Sequence, residues 1–278
     1  MKKKYSVLFA IIALIVLSIS SVANASVKPL TEDELAVGLE CNYTPFNWTQ
    51  LEDSNGAVAI KGGGGFCGGY DVEIAKKIAD GLGRKLVIVK IEWDGLIPAV
   101  NAEKIDAVIA GMSPTEERKI SVDFSDPYYE SDLVIVVKAD SAYAKATSIQ
   151  DFKDAKITAQ LNTFHYTVID QIEGVKKQTA MESFPAMIVA LSSGKIDGYI
   201  SERPGAVSAM ASNPEFTFVS FEEGKGFVAS PEDVAVAVAM KKGNPNIPAI
   251  NEILGKITKE DRQAIMDNAV KTQPVVGE

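Results

Sequence analysis

Arg118 is the first residue whose surroundings suggest chemistry. Residues 106–112 read as a buried strand, Ser113 and Glu116 have the spacing of a capping box, and Pro114 suits a first helical position, so the spacing predicts a helix opening at Ser113. The first N–H groups of such a helix have no internal partner, and Arg118 adds a planar charged fork about one turn later. Ala110, Gly111, Ser113 and Arg118 would then form a corner suited to a small carboxylate. One box and one arginine would equally describe a capped helix with a solvated side chain, so the corner gains meaning only from the elements that position it.

Those elements alternate. Leu35 to Glu40 reads as a strand, followed by helix Val72 to Leu82, strand Lys85 to Lys90, helix Leu96 to Ala102 and strand Ala107 to Met112. A second block repeats the grammar with strand Lys156 to Gln160, helices Phe164 to Ile172 and Pro185 to Ser192, and strand Gly198 to Ser201. Residues 99–109 and 190–200 echo each other, each a helix, a Lys-Ile-Asp turn and a strand. The copies lie far apart, which argues for two similar α/β lobes rather than a solenoid. Open α/β sheets bind ligands beyond the carboxyl ends of their strands: residues 110–113 in one lobe, Ser201 and Glu202 in the other. One edge offers donors and the other a carboxylate, the complement of an α-amino acid. Taken alone, Glu202 would pass for a surface residue paired with Arg203.

Composition narrows the setting. Lys2, Lys3 and Lys4 precede an apolar run from Val7 to Leu17, and Ala23-Asn24-Ala25 has the small-residue pattern of a cleavage site, so residues 1–25 are expected to be a signal peptide removed near Ala25. No cysteine follows that point, which argues against a lipid anchor and for a soluble periplasmic or secreted chain. Losing three lysines makes the formal net charge of −9 more negative still, and nucleic acid is a poor partner for such a surface. Cys41 and Cys67 are the only cysteines, and in an oxidising compartment a disulfide is favoured over two free thiols or half a metal site. With His165 the sole histidine, neither a metal site nor a Ser-His-Asp triad is supported, no cofactor is expected, and His165 is read as structural or cleft-lining.

Several stretches together resemble one family. Gly69-Tyr70-Asp71-Val72-Glu73-Ile74-Ala75, Tyr43-Thr44-Pro45-Phe46, Ala110-Gly111-Met112-Ser113 with Thr115 to Arg118, and Phe124-Ser125-Asp126-Pro127-Tyr128-Tyr129 are similar to the motifs of bacterial extracellular solute-binding proteins of family 3, the amino-acid receptors of ATP-driven importers. The resemblance covers nearly the whole mature chain. It implies a type II periplasmic binding protein fold: residues 26–129 and 236–278 in lobe one, residues 130–235 in lobe two, joined by a two-stranded hinge.

Carried over residue by residue, the resemblance implies that Arg118 grips the ligand carboxylate, helped by Ser113 and by Thr163 from the second lobe. Glu202 stands where most members place an aspartate for the α-ammonium, so its extra methylene departs from the pattern. Phe164 is another departure, an added aromatic wall where many members have a small turn. Tyr43 and Trp93 correspond to the walls that sandwich the ligand side chain, and Glu40 is a candidate counter-charge for a basic one; Trp48 either narrows the slot or belongs to the core. The expected function is an exported, monomeric receptor that delivers lysine, arginine or ornithine to an ABC permease by hinge closure, with glutamine or another polar amino acid as alternative ligand. Competing readings are a chemosensory binding protein and an enzyme, since the fold also hosts dehydratases of prephenate or arogenate in which Glu202 would serve as general acid.

Overall fold

A computed structural model describes residues 33–274, so the expected signal peptide and its cleavage point lie outside the described residues. Two five-stranded sheets organise the chain. The first runs in the order Lys85–Lys90, Glu34–Leu39, Ala107–Val108, Ala235–Lys241, Val122–Glu130; the second runs Lys176–Lys177, Lys156–Thr158, Gly198–Glu202, Leu133–Lys138, Phe216–Val219. In each, three parallel strands are followed by a fourth that is antiparallel to its neighbours. The central strands are almost wholly apolar and buried, as expected of strands covered on both faces.

The sequence echo has a common structural cause. Asp106 Oδ2 accepts the N–H of Ala36 at 2.7 Å, and Asp197 Oδ2 accepts that of Lys156 at 2.8 Å. The two aspartates also donate their own N–H groups to those same partners, Ala36 and Lys156. Each aspartate thereby staples the turn after a helix to the start of the adjacent parallel strand, and Lys-Ile-Asp is that staple. Before it, Glu103 and Gly194 both take the left-handed conformation that ends the helix.

The chain passes between the halves where strands from both crossings lie side by side. Ala235 pairs with Glu130, Ser131 N–H donates to Val234 at 3.1 Å, and Arg203 N–H donates to the Asp132 carbonyl at 3.1 Å. Helix Lys259–Thr272 packs on helix Tyr70–Gly81 of the first half and on helix Arg203–Ser212 of the second, and just beyond it Gln273 Oε1 accepts the Ser208 hydroxyl at 2.6 Å.

A third, four-stranded sheet sits beside the first, in the order Asn42–Tyr43, Asn47–Gln50, Phe66–Gly68, Val58–Ala59. The Cys41–Cys67 disulfide ties the residue before strand Asn42–Tyr43 to strand Phe66–Gly68. Trp48 is buried within this sheet over Gly68, where an added Cβ would lie 3.1 Å from the indole, and it donates to Gln50 at 2.9 Å. It is therefore core rather than cleft.

Two local expectations are corrected here. The helix expected at Ser113 begins two residues later, as Glu116–Lys119, with Thr115 as the cap whose hydroxyl accepts Arg118 N–H at 3.4 Å. The strand expected to reach Met112 ends at Val108, the chain bends at Gly111 with a φ of +61°, and the Met112 carbonyl then accepts Ala237 N–H at 3.0 Å, which delays the helix past Pro114.

Candidate functional site

The carboxyl ends of both sheets face one narrow cavity of about 20 Å³, room for about one water. Tyr43, Trp93, Gly111, Ser113 and Arg118 line it from the first half; Gln160, Thr163, Phe164, His165 and Phe184 line it from the second.

Arg118 is half-buried and held on three sides. Nη1 donates to the Ser113 carbonyl at 3.0 Å, Nη2 donates to the Asn162 carbonyl at 3.0 Å, and the guanidinium lies 5.0 Å over the Trp93 ring. Burial lowers its pKa to about 10, so it stays charged at neutral pH. Trp93 Nε1 also donates to the Asn162 carbonyl, at 3.4 Å, and the Asn162 amide donates to Asp94 at 2.8 Å. Asn162 takes a positive φ of 55°, and its turn bridges the two halves.

Gly111 has a structural reason. Its φ is +61°, and a Cβ there would lie 2.9 Å from the Tyr43 ring, so only glycine lets that ring rest on the backbone. Tyr43 is stacked between Phe46 at 4.9 Å and Phe184 at 4.1 Å, while its hydroxyl is buried without a partner. Tyr43 and Trp93 therefore do not form a two-ring slot in this arrangement: Phe184 covers one ring and Arg118 the other.

Below the wall, Gly111 N–H donates to the Tyr128 hydroxyl at 3.1 Å, and Tyr128 donates to the fully buried Asp71 at 2.7 Å. Asn47 donates to the other Asp71 oxygen at 2.8 Å. Burial raises Asp71 to about 7, against the pull of these donors.

Glu40 and Glu202 lie behind the lining rather than on it. Glu40 is buried, and Gln160 Nε2 donates to its two oxygens at 3.2 and 3.4 Å across the halves. Its pKa is raised to about 7, by burial first, with the Gln160 bond lowering it and Glu92 and Asp94 raising it further. Glu202 is 2 % exposed; its Oε1 lies 3.4 Å from His165 Nε2, and its Oε2 has no partner. Burial raises Glu202 to about 8 and lowers His165 to about 4, the latter helped by the positive charge of Arg118. Both are thus neutral near pH 7.

Of the residues singled out from sequence, Tyr43, Trp93, Gly111, Ser113, Arg118, Thr163 and Phe164 share the cavity. Ala110 is buried beside Gly111 without lining it. Gln160 and Phe184 were not singled out. Both had a usable signal, since Gln160 ends a predicted strand and Phe184 directly precedes the predicted helix from Pro185, the positions that face a cleft in open sheets.

Among the described residues, no group of three or more His, Cys, Asp or Glu side chains is placed to hold a metal, and no helix is long and apolar enough to cross a membrane. The profile of the bacterial extracellular solute-binding proteins, family 3, matches residues 35–269. A probable histidine-binding protein of Campylobacter jejuni is 35% identical over 210 residues, 73% of this chain and 74% of that protein. The L-cystine-binding protein TcyJ of Escherichia coli is 27% identical over 257 residues, 88% of this chain and 89% of that one. Among solved structures, the amino acid ABC transporter substrate-binding protein AbpA of Streptococcus pneumoniae, bound to L-arginine, aligns with a TM-score of 0.73 at 27% identity, over 86% of this chain and 95% of that one. These relatives are binding proteins, and the dehydratase reading finds no support among them. The chain belongs to the bacterial extracellular solute-binding proteins, family 3, and is a binding protein rather than an enzyme.

Proposed function

We propose that this protein is an exported receptor for a basic amino acid, one that hands its ligand to an ABC permease by closing two lobes about a hinge. The observation that carries the reading is the convergence of Arg118, Ser113, Tyr43 and Trp93 with Gln160, Thr163 and His165 on one cavity between the halves. Arg118 receives the α-carboxylate, with Ser113 and Thr163 beside it. An α-ammonium arriving beside Glu202 favours its ionised form, and Glu202 then supplies the negative charge on that side of the cleft. Glu40, with Glu92 and Asp94 acting on it, makes an acidic pole toward which a lysine, arginine or ornithine side chain extends.

The cavity seats no amino acid as it stands, so admission requires parting the halves. That breaks Arg118–Asn162, Trp93–Asn162, Asp94–Asn162 and Glu40–Gln160 together with the Tyr43–Phe184 stack. Lobe one is assigned residues 26–129 and 236–278, lobe two residues 130–235, and motion is absorbed where the chain crosses near residues 130–132 and 232–236. A ligand touching both lobes stabilises only the closed form and so shifts the population toward it. The relatives named for histidine, cystine and arginine support an amino acid as ligand class.

A second reading, a polar ligand such as glutamine, is favoured by one observation: Gln160 already satisfies Glu40 with a neutral amide. Thermal-shift and calorimetric screening against the twenty common amino acids and ornithine separates the two. The largest shift is expected from a basic amino acid, and a glutamine-only response overturns the first reading.

A further inference from the structure

We infer that the end of helix Lys259–Thr272 is a latch between the halves: Gln273 holds Ser208, and that bond prolongs the closed form by the same factor whatever the ligand. The inference rests on the reading of this protein as a two-lobed receptor moving about a hinge, and it concerns residues outside the cleft.

The helix is fixed to the first half at its start. Arg262 Nη1 donates to the Pro127 carbonyl and Nη2 to the Leu254 carbonyl, both at 2.8 Å. Pro127 lies in strand Val122–Glu130, which runs into the first crossing, and it pairs with Ala237 just after the return crossing. Met266 and Ala269 are buried, and the helix packs on helix Tyr70–Gly81. From Arg262 to Gln273 a helical path advances about 16 Å. There it meets the second half.

That contact is polar and buried. Gln273 is 8 % exposed and Ser208 3 %, and the Ser208 hydroxyl donates to Gln273 Oε1 at 2.6 Å. Ser208 belongs to helix Arg203–Ser212, whose first residue is held at the crossing: Arg203 N–H donates to the Asp132 carbonyl at 3.1 Å, and Nη2 donates to Asp132 Oδ2 at 3.3 Å. Ser208 stands about 7.5 Å further along that helix. At such a radius a turn of about 20° about the crossing carries the hydroxyl about 3 Å, out of hydrogen-bond reach. The two groups therefore separate when the halves part. Once free, the hydroxyl can turn to a carbonyl of its own helix and Gln273 to water, so the bond favours the closed form by about 5-fold, as an ordinary buried hydrogen bond does.

Its place distinguishes it from the other contacts across the halves. Arg118–Asn162, Glu40–Gln160 and Tyr43–Phe184 join residues at or beside the cavity, where each ligand alters them in its own way. Ser208 and Gln273 line no part of that cavity, so they make the same bond whether it is filled or empty. A contact common to both closed forms cannot discriminate between ligands; it slows the escape of all of them by one factor.

The test pairs small-angle scattering on the unliganded protein with stopped-flow dissociation of L-arginine, L-histidine and L-glutamine. Gln273→Ala and Ser208→Ala should each enlarge the unliganded radius of gyration and speed dissociation about 5-fold, by one factor for every probe that binds. The double variant should match the single ones, because all three remove the same bond. An unchanged radius or dissociation rate in Gln273→Ala overturns the inference, as does a factor that differs between probes. Should Ser208→Ala not fold by circular dichroism, Gln273→Ala decides alone. If the wild type binds none of the probes, the reading of the cleft fails, and the unliganded radius still decides the latch: a larger one in Gln273→Ala supports it and an unchanged one overturns it.

Discussion

Tyr128 donates to Asp71 at 2.7 Å while accepting the N–H of Gly111 at 3.1 Å, so one hydroxyl joins a fully buried carboxylate to the backbone of the cleft wall. The Gly-Tyr-Asp motif and the Pro-Tyr-Tyr motif, far apart in sequence, meet at this bond. Tyr128→Phe leaves Asp71 and Gly111 each short of a partner. The expected loss is about 2–4 kcal/mol of stability, read by urea unfolding. An unchanged midpoint would show that the network carries no stability.

Arg118→Ala should abolish ligand-induced thermal shifts while leaving the far-ultraviolet spectrum unchanged. Arg118→Lys should recover little, at least about 100-fold weaker than wild type, because an ammonium lacks the fork that spans Ser113, the ligand and the Trp93 face. A full response in the alanine variant refutes the site.

Hinge closure has a direct readout in solution. Small-angle scattering should show a smaller radius of gyration with saturating L-arginine than without ligand. An unchanged radius with proven binding would mean that the halves do not part. Phe184→Ala removes the ring that stacks on Tyr43 across the cleft; it should cost about 3 kcal/mol of stability and enlarge the unliganded radius.

Stability should fall as pH rises from 6.5 to 8.5. Glu40, Asp71 and Glu202 have folded pKa values raised to about 7, 7 and 8, so the folded state holds protons that the unfolded chain has released. Their contribution is complete below the unfolded carboxylate range and is lost as pH rises through those values. His165 runs the other way: lowered to about 4, its contribution is present above about 6.5 and lost as pH falls through 4, so it is constant across the chosen window. Glu40→Gln should flatten the slope in denaturant titrations at the two pH values, and a stability that increases with pH contradicts the assignment.

Cys41→Ser with Cys67→Ser should destabilise the protein by about 3 kcal/mol, for a bridge spanning 26 residues of chain that include the Gly62 to Gly65 run. Equal melting temperatures for the oxidised wild type and the double variant would mean that the bridge holds no loop in place.

Much of the scaffold was legible because its signals are local. Strand Lys85–Lys90 and helix Phe184–Ser192 follow from runs of apolar residues and flanking turn residues, and the Lys-Ile-Asp echo marks the duplicated unit in the sequence itself. The cap falls at Thr115 rather than Ser113 because a long-range bond, Ala237 N–H to the Met112 carbonyl, ties the chain to strand Ala235–Lys241 beyond the bend at Gly111. Gln160 and Phe184 sat at legible positions, yet their partners, Glu40 and Tyr43, lie more than a hundred residues away.

Residue order alone determined the alternation of strands and helices and the pairing of the two cysteines, because each depends on neighbours along the chain or on there being no other candidate. Only the tertiary structure decided that Phe184 covers Tyr43, that Gln160 caps Glu40, and that His165 stands between Glu202 and the cavity. Those relations depend on how two sheets built from separate stretches meet across a cleft, and no local pattern encodes the distance between side chains on opposite walls.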